Sequence, residues 1–139
     1  MKCDVYLSFD GNCEEAMTFY QDVFDGEFRV MMRYKDGPPE YVTSPEIENK
    51  IMHTTMTFGN GCELKASDSF HQPLNKGNNF HVSVLADDDE QGQAIFNGLS
   101  KDGTVIMPYN EVFWGGKFGS LVDKYEIHWM VSFDANVIS

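Results

Sequence analysis

Residues 5–26, VYLSFDGNCEEAMTFYQDVFDG, contain the pattern that decides the fold of this chain. Val5–Phe9 is a short run rich in β-forming residues and predicts a strand. After a turn that ends at Asn12, the expected N-cap, apolar side chains recur at helical spacing. Gly26 then follows as a stop signal. The stretch therefore predicts a strand followed by a helix over residues 13–24.

Three further strands are predicted after this helix, at residues 28–34, 51–58 and 62–67. The first two are separated by a polar loop that contains several prolines. The last two are separated by Gly59-Asn60-Gly61, a turn of the hairpin type. The first half of the chain therefore has the predicted order β-α-β-β-β.

The same order restarts at residues 80–103, FHVSVLADDDEQGQAIFNGLSKDG. A strand leads into an acidic helix start, and the helical spacing continues to Gly103 although Gly92 weakens it. Strands are then predicted at 104–109, 118–122 and 127–133.

Two halves, residues 1–70 and 79–139, thus share one order of elements at nearly one length, and a duplicated module is the economical explanation. One such module leaves a face of its sheet uncovered, so we expect two modules to cover one another. The expected fold is α+β, with two βαβββ modules whose mixed curved sheets enclose a cavity in a single domain, 1–139. The alternative is a generic α+β sandwich with accidental symmetry.

The net charge is -12, and 42% of the residues are hydrophobic. Such an acidic chain repels phosphate backbones and anionic lipid, so we expect no nucleic-acid and no membrane partner. The three cysteines, Cys3, Cys13 and Cys62, form no CxxC pair, which favours a reduced, cytoplasmic protein over a disulfide scaffold.

Two stretches carry a family resemblance. One runs from Tyr6 to Tyr20, and the other runs from Phe113-Trp114-Gly115-Gly116 to Trp129. They resemble the opening and the closing segments of PhnB-like proteins, a bacterial branch of the vicinal oxygen chelate superfamily of glyoxalases, bleomycin-resistance proteins and dioxygenases. The resemblance implies the paired βαβββ fold and a homodimer, with domain swapping as one route to it.

The resemblance also implies a divalent metal, such as Zn, Ni, Mn or Fe, held by His, Gln or Glu from both modules. His81 and Glu63 fall at two of the expected ligand positions. The position of the last carboxylate holds Met130, a poor ligand for hard ions. Strand alternation places His128 on the same face as Met130 and Trp129 on the other face, so His128 could substitute if that face lines the cavity.

Four other side chains are candidates for the cavity. Depending on the alignment, the first strand offers Asp4, which could bind a metal, or Tyr6, which is expected to line the cavity. His53 either faces the cavity or caps a strand. Trp114 belongs to a loop of aromatics and glycines that forms either a cavity wall or a subunit interface. Lys117 favours an anionic ligand if it points inward, and otherwise faces solvent.

These features predict a protein that binds a small oxygenated molecule without a complete metal site. The alternative is a metal-dependent lyase, isomerase or dioxygenase-like enzyme using His81 and Glu63, and a third possibility is a dimeric scaffold with a vestigial cavity. PhnB-like proteins have been labelled methyltransferases of the ubiquinone pathway. That label has no support here, because Gly59-Asn60-Gly61 lies between two strands and not in a strand-to-helix cofactor loop.

Overall fold

A computed structural model describes residues 1–135. The chain divides into unit 1, Met1–Asn75, and unit 2, which begins at Lys76. Unit 1 contains β1 (Val5–Phe9), α1 (Cys13–Phe24), β2 (Glu27–Arg33), β3 (Ile51–Phe58) and β4 (Cys62–Asp68). Unit 2 contains β5 (Val82–Leu85), α2 (Asp89–Ser100), β6 (Thr104–Glu111), β7 (Lys117–Val122) and β8 (His128–Phe133).

Each unit has one four-stranded mixed sheet with the same topology. The strand order is β1-β4-β3-β2 in unit 1 and β5-β8-β7-β6 in unit 2. The first strand of each unit runs parallel to its last strand, and the other neighbours are antiparallel. The prediction of an α+β protein built from two βαβββ units is confirmed. None of the helices within residues 1–135 is long and apolar enough to cross a membrane.

Helix α1 packs against the middle of the unit 1 sheet, on β3 and β4. Strand alternation sends one set of side chains toward it. The buried members of that set are Leu7, Phe9, Met56, Leu64 and Ala66. The other side of the same sheet keeps its polar and exposed side chains, which places the candidate site of unit 1 opposite the helix.

Asn12 occupies the N-cap position of α1, as the sequence indicates, but its side chain makes no capping hydrogen bond. The carboxylate of Asp68, the last residue of β4, takes this role. Its Oδ1 accepts hydrogen bonds from the backbone N–H groups of Gly11 at 2.9 Å and Cys13 at 3.0 Å. Its Oδ2 accepts one from the N–H of Ile51 at 2.9 Å. One buried carboxylate therefore joins the start of α1, the start of β3 and the end of β4.

Helix α2, unlike α1, is capped by the side chain of its own N-cap residue. Asp88 accepts a hydrogen bond from the backbone N–H of Gln91 at 2.8 Å, and the Gln91 side chain accepts one from the N–H of Asp87 at 2.7 Å. The first contact satisfies a donor that the first turn of a helix leaves free, and the second holds the residue before the N-cap. The predicted acidic start of α2 is therefore confirmed.

Gly92 of α2 has a packing reason to be glycine. A Cβ added there would overlap the hydroxyl of Tyr109, which lies on the helix side of β6. That hydroxyl is buried, and no group within residues 1–135 meets the ordinary geometry of a hydrogen bond to it. Burial, followed by the nearby charge of Asp89, raises the pKa of Tyr109. The residue that weakens the helical pattern in the sequence thus makes room for a tyrosine ring.

Gly92→Ala is expected to destabilise unit 2, although alanine is normally favoured over glycine in a helix by about 1 kcal/mol. The added methyl group would meet the Tyr109 hydroxyl. In a Tyr109→Phe background the overlap is relieved, so the same substitution should cost less or become stabilising. Urea unfolding of the four proteins in this double-mutant cycle measures the coupling. If Gly92→Ala lowers the free energy of unfolding equally in both backgrounds, the Tyr109 hydroxyl is not the group that the added methyl overlaps.

Candidate functional site

The side of the unit 1 sheet that faces away from α1 forms the candidate site, which we call the open face of unit 1. Alternation along β1 shows the two sides, because Leu7 is buried while Tyr6 is half exposed, at 50%. The register pairs Lys65 of the central strand β4 with Tyr6 on one side and Thr55 on the other. The open face of unit 1 comprises Asp4, Tyr6, His53, Thr55, Glu63 and Lys65.

Tyr6 and His53, both predicted as cavity residues, meet on this face. The Tyr6 Oη atom lies 3.1 Å from Nδ1 of His53, and the two rings stack with their centroids 5.7 Å apart. The other ring nitrogen of His53, Nε2, lies 3.2 Å from the hydroxyl oxygen of Thr55. His53 is therefore a member of β3 whose two nitrogens are both engaged, and it does not merely cap the strand.

A network of ion pairs covers the rest of the open face. Lys65 donates a hydrogen bond to Asp4 at 2.8 Å, and Glu63 accepts from Lys2 at 3.0 Å and from Arg29 at 3.2 Å. The hydrogen bond from Lys65 holds the pKa of Asp4 below its ordinary value, and the same contact raises the pKa of Lys65. The hydrogen bond from Lys2 likewise lowers the pKa of Glu63. The network therefore joins three basic side chains to two carboxylates.

Acid is expected to weaken unit 1 through Asp4 and Glu63. Their pKa values are lowered in the folded chain, so their contribution is present above the unfolded value of about 4 and is lost as the pH falls through the folded values. An Asp4→Asn/Glu63→Gln variant should therefore show a shallower fall of Tm with acidification at low salt. Glu40→Gln, at an exposed position, serves as the control. If Tm falls equally steeply with decreasing pH in the wild type and the double variant, this prediction is contradicted.

In unit 2, His81 and His128 come together. Their ring centroids are 5.3 Å apart in an edge-to-face arrangement. The predicted alternation of β8 is confirmed, because Met130 and His128 are half-buried while Trp129 between them is fully buried. Ser83 of β5 pairs with Met130 on the same side of the sheet. His81, His128 and Met130 form the second cluster of predicted site residues, on the unit 2 sheet.

Lys117 and Trp114 lie elsewhere in unit 2. Lys117 forms an ion pair with Asp89 of α2 at 3.0 Å, and its ammonium lies 5.7 Å from the ring centre of Tyr109. It therefore belongs to the helix side of the sheet. Trp114 lies in the β6–β7 turn, where its ring contacts Phe113 edge-to-face with the centroids 4.8 Å apart. Both side chains of this turn are exposed.

The donor set does not fit a divalent metal. The two carboxylate oxygens of Glu63 are each bound by a cation, Oε1 by Arg29 and Oε2 by Lys2. Through residue 135, no three His, Cys, Asp or Glu side chains are grouped so that they could hold a metal ion. The pair His81 and His128 supplies two imidazoles without a carboxylate. The metal role of His81 and Glu63 stays a prediction from the resemblance.

Sequence reasoning missed Thr55 and Lys65 of the open face. It also missed Lys2 and Arg29, which pair with Glu63. A signal for Lys65 was available, because it is two residues from Glu63 on β4 and alternation places the two on one face. No comparable signal exists for Arg29 or Lys2, whose contacts with Glu63 span 34 and 61 positions.

Two mixed four-stranded sheets, each packed against one helix, define a protein of the glyoxalase, bleomycin-resistance and dioxygenase fold. A domain of that description from Frankia sp. EAN1pec has a TM-score of 0.69 over 99% of this chain and 93% of its own, and at 12% identity the likeness is one of fold. The chain belongs to the family described as 3-demethylubiquinone-9 3-methyltransferase, whose sequence profile matches residues 1–132.

Two solved structures are similar at 30% identity. Protein PA1353 from Pseudomonas aeruginosa has a TM-score of 0.85, with 96% of this chain and 98% of that chain covered. The PhnB protein from Bacillus cereus has a TM-score of 0.79, with coverage of 96% and 99%. The resemblance to PhnB-like proteins is thereby confirmed.

Proposed function

We propose that this protein binds a small oxygenated molecule on the sheet faces opposite its helices, without a complete metal site. The observation that carries the proposal is the open face of unit 1. There Tyr6 and His53 present polar atoms beside the ion pairs of Lys65, on a side of the sheet that α1 does not cover. Hydroxyl, imidazole and ammonium groups are suited to bind the oxygen atoms of a small ligand.

The corresponding face of unit 2 supports a ligand with an apolar part. It combines His81, His128 and Met130 with Leu85 and Met107, which are both about half exposed. Unbranched methionine side chains adapt to irregular shapes and tolerate several ligands. The imidazoles of His81 and His128 beside this surface provide polar contacts that would orient the ligand.

The alternative is a divalent-metal-dependent lyase, isomerase or dioxygenase-like enzyme that uses His81 and Glu63. The observation in its favour is the contact between His81 and His128, which places two candidate ligands side by side. It requires Glu63 to leave Lys2 and Arg29 before it can bind a metal.

Metal analysis of the purified protein, followed by His81→Ala, separates the two functions. We expect substoichiometric Zn, Ni, Mn and Fe, together with a rise in Tm when the metal-free protein is titrated with members of a panel of small hydroxy and oxo acids. A stoichiometric metal that is lost in His81→Ala would overturn the first proposal in favour of the enzyme. His71→Ala, in an exposed loop, is the matched control.

The fold of the two units does not support the methyl transfer named in the family description. The Gly59-Asn60-Gly61 segment joins β3 to β4 as a hairpin turn, in agreement with the sequence-based expectation. Both sheets are mixed and four-stranded, unlike the parallel sheet of a doubly wound dinucleotide-type fold.

We also propose that the protein is a homodimer in the cytoplasm, with no nucleic-acid or membrane partner. Large apolar side chains at the surface of unit 2 support an interface, notably Phe113 at 97%, Phe80 at 73% and Ile106 at 58% exposure. The cysteines are free, and burial keeps the pKa of the Cys13 thiol well above its ordinary value, which suits a reducing compartment. Light scattering tests the dimer, and a monomer at micromolar concentration would refute it.

A further inference from the structure

Three side chains on the open face of unit 1 form a chain of polar contacts from solvent to the interior. The Tyr6 hydroxyl lies 3.1 Å from Nδ1 of His53, and Nε2 of His53 lies 3.2 Å from the Thr55 hydroxyl. Tyr6 comes from β1 and the other two from β3, with β4 between them. Tyr6 is 50% exposed while Thr55 is 1% exposed, so the tyrosine is the end that a ligand meets.

The donor and acceptor roles of Tyr6, His53 and Thr55 in these contacts are restricted. A neutral imidazole has one N–H donor and one acceptor nitrogen, so the two hydroxyls at its ends must play opposite roles. A phenol releases its proton more readily than an aliphatic alcohol does. The favoured arrangement has Tyr6 donating to Nδ1 of His53, with Nε2–H donating to Thr55. Thr55 then fixes the tautomer in which His53 can accept the tyrosine proton.

The surrounding charges favour an anion at this place. Lys2, Arg29 and Lys65 face two carboxylates, Asp4 and Glu63, so the network carries one excess positive charge. The chain as a whole has a net charge of -12. A local excess of positive charge on such an acidic protein stabilises a negative charge formed nearby.

We propose that Tyr6, His53 and Thr55 form a proton relay, and that the open face of unit 1 takes small molecules with an acidic phenolic or enolic hydroxyl and holds them as anions. The ligand O–H bond breaks as its proton passes to Tyr6 Oη, while the Tyr6 proton passes to Nδ1 of His53. The products are a ligand oxyanion and an imidazolium, and no electrons are exchanged. Tyr6 touches the ligand, and His53 and Thr55 act through it. This inference rests on the proposed function and names its ligand class.

The tautomer of His53 provides the first test. NMR correlation of the imidazole nitrogens in ¹⁵N-histidine-labelled protein at neutral pH reports which ring nitrogen carries the proton. We expect a protonated Nε2 and an unprotonated, hydrogen-bonded Nδ1, with the Nδ1 signal moving in Tyr6→Phe and unchanged in Tyr41→Phe. Tyr41 is an equally exposed tyrosine at 53%, outside the relay. A protonated Nδ1 in the neutral ring would overturn the relay.

The second test uses 4-nitrophenol, which absorbs visible light only when it is ionised. Titration of the protein with this probe should shift the ionisation ratio of the probe about tenfold toward the phenolate, which corresponds to about one pH unit. Tyr6→Phe and His53→Gln should lose the shift, and Tyr41→Phe should keep it. A probe that keeps its shift in Tyr6→Phe, or that shows no shift with the wild type, would overturn the inference.

Failure of the relay is distinguishable from failure of the proposed function. If hydroxy or oxo acids raise the Tm but 4-nitrophenol shows no shift, the binding function stands and the relay does not. Circular dichroism of each variant confirms that it is folded, and a folded His53→Gln that retains the full shift contradicts the role of His53.

Discussion

Asp68→Ala is expected to destabilise unit 1 by about 3 kcal/mol or more, because it removes the acceptor of three backbone hydrogen bonds, two of them buried and one partly buried. Hydrogen bonds to a charged acceptor contribute about 1.5–3 kcal/mol each, and an unsatisfied buried donor costs about 1–3 kcal/mol. The loss of a negative charge at the start of α1 adds to the effect, since the helix dipole favours an anion there. The backbone N–H groups of Gly11, Cys13 and Ile51 would be left without partners.

Urea unfolding measures the change in free energy, and hydrogen exchange at the same three amides locates it. Asp68→Asn should be nearly as severe, because its amide group presents a donor to at least one of these N–H groups. Asp22→Asn, at an exposed position of α1, is the matched control and should stay within about 0.5 kcal/mol of the wild type. A cost below about 1 kcal/mol for Asp68→Ala, on the scale of one ordinary hydrogen bond, would mean that other groups or water replace the carboxylate.

The elements of the fold follow from local patterns, which is why they can be predicted well. The helix expected over residues 13–24 is observed as Cys13–Phe24, and the strand expected over 51–58 is observed as Ile51–Phe58. Both stretches carry their own periodicity and end at glycine or turn signals. Strand ends that depend on pairing differ more, as in β6, which extends beyond the predicted 104–109 to Glu111 because Glu111 pairs with Lys117 of β7.

The cap of α1 shows what local patterns cannot supply. Asn12 has the right residue type at the right position, yet the capping oxygen comes from Asp68, 55 positions after Cys13. The parallel pairing of β1 with β4 brings the two together, with Phe9 opposite Asp68. An acceptor that tertiary structure delivers makes the local cap unnecessary.

The contacts within the candidate site also depend on tertiary structure and not on local sequence patterns. Tyr6 and His53 were each predicted as cavity residues, but only the strand order β1-β4-β3 brings their side chains into contact. Glu63 was a candidate metal ligand, and the structure pairs it with cations from distant positions, Lys2 and Arg29. Residue type therefore indicated the candidate side chains of unit 1, while the contacts among them depend on the register between strands.

Trp129→Ala is expected to be the most damaging single substitution in unit 2, at about 3–5 kcal/mol. Trp129 is fully buried on β8, where it pairs with Leu121 on β7 and Val82 on β5. Its indole N–H donates a 2.8 Å hydrogen bond to Oδ2 of Asp123. The substitution removes the largest buried side chain of the unit and one partner of a buried carboxylate.

Trp129→Phe separates the two contributions, because it keeps much of the ring volume and loses the N–H donor. We expect a cost of about 2 kcal/mol for the phenylalanine, the range for a hydrogen bond to a charged group. Oδ1 of Asp123 still accepts from the backbone N–H groups of Tyr125 and Ile127, so the β7–β8 turn should persist.

Trp114→Phe, at the exposed β6–β7 turn, is the matched control and should change the stability by less than about 0.5 kcal/mol. Chemical unfolding followed by circular dichroism, which does not depend on tryptophan fluorescence, measures all three variants. If Trp129→Phe costs as much as Trp129→Ala, the hydrogen bond to Asp123, and not the ring packing, holds this part of unit 2 together.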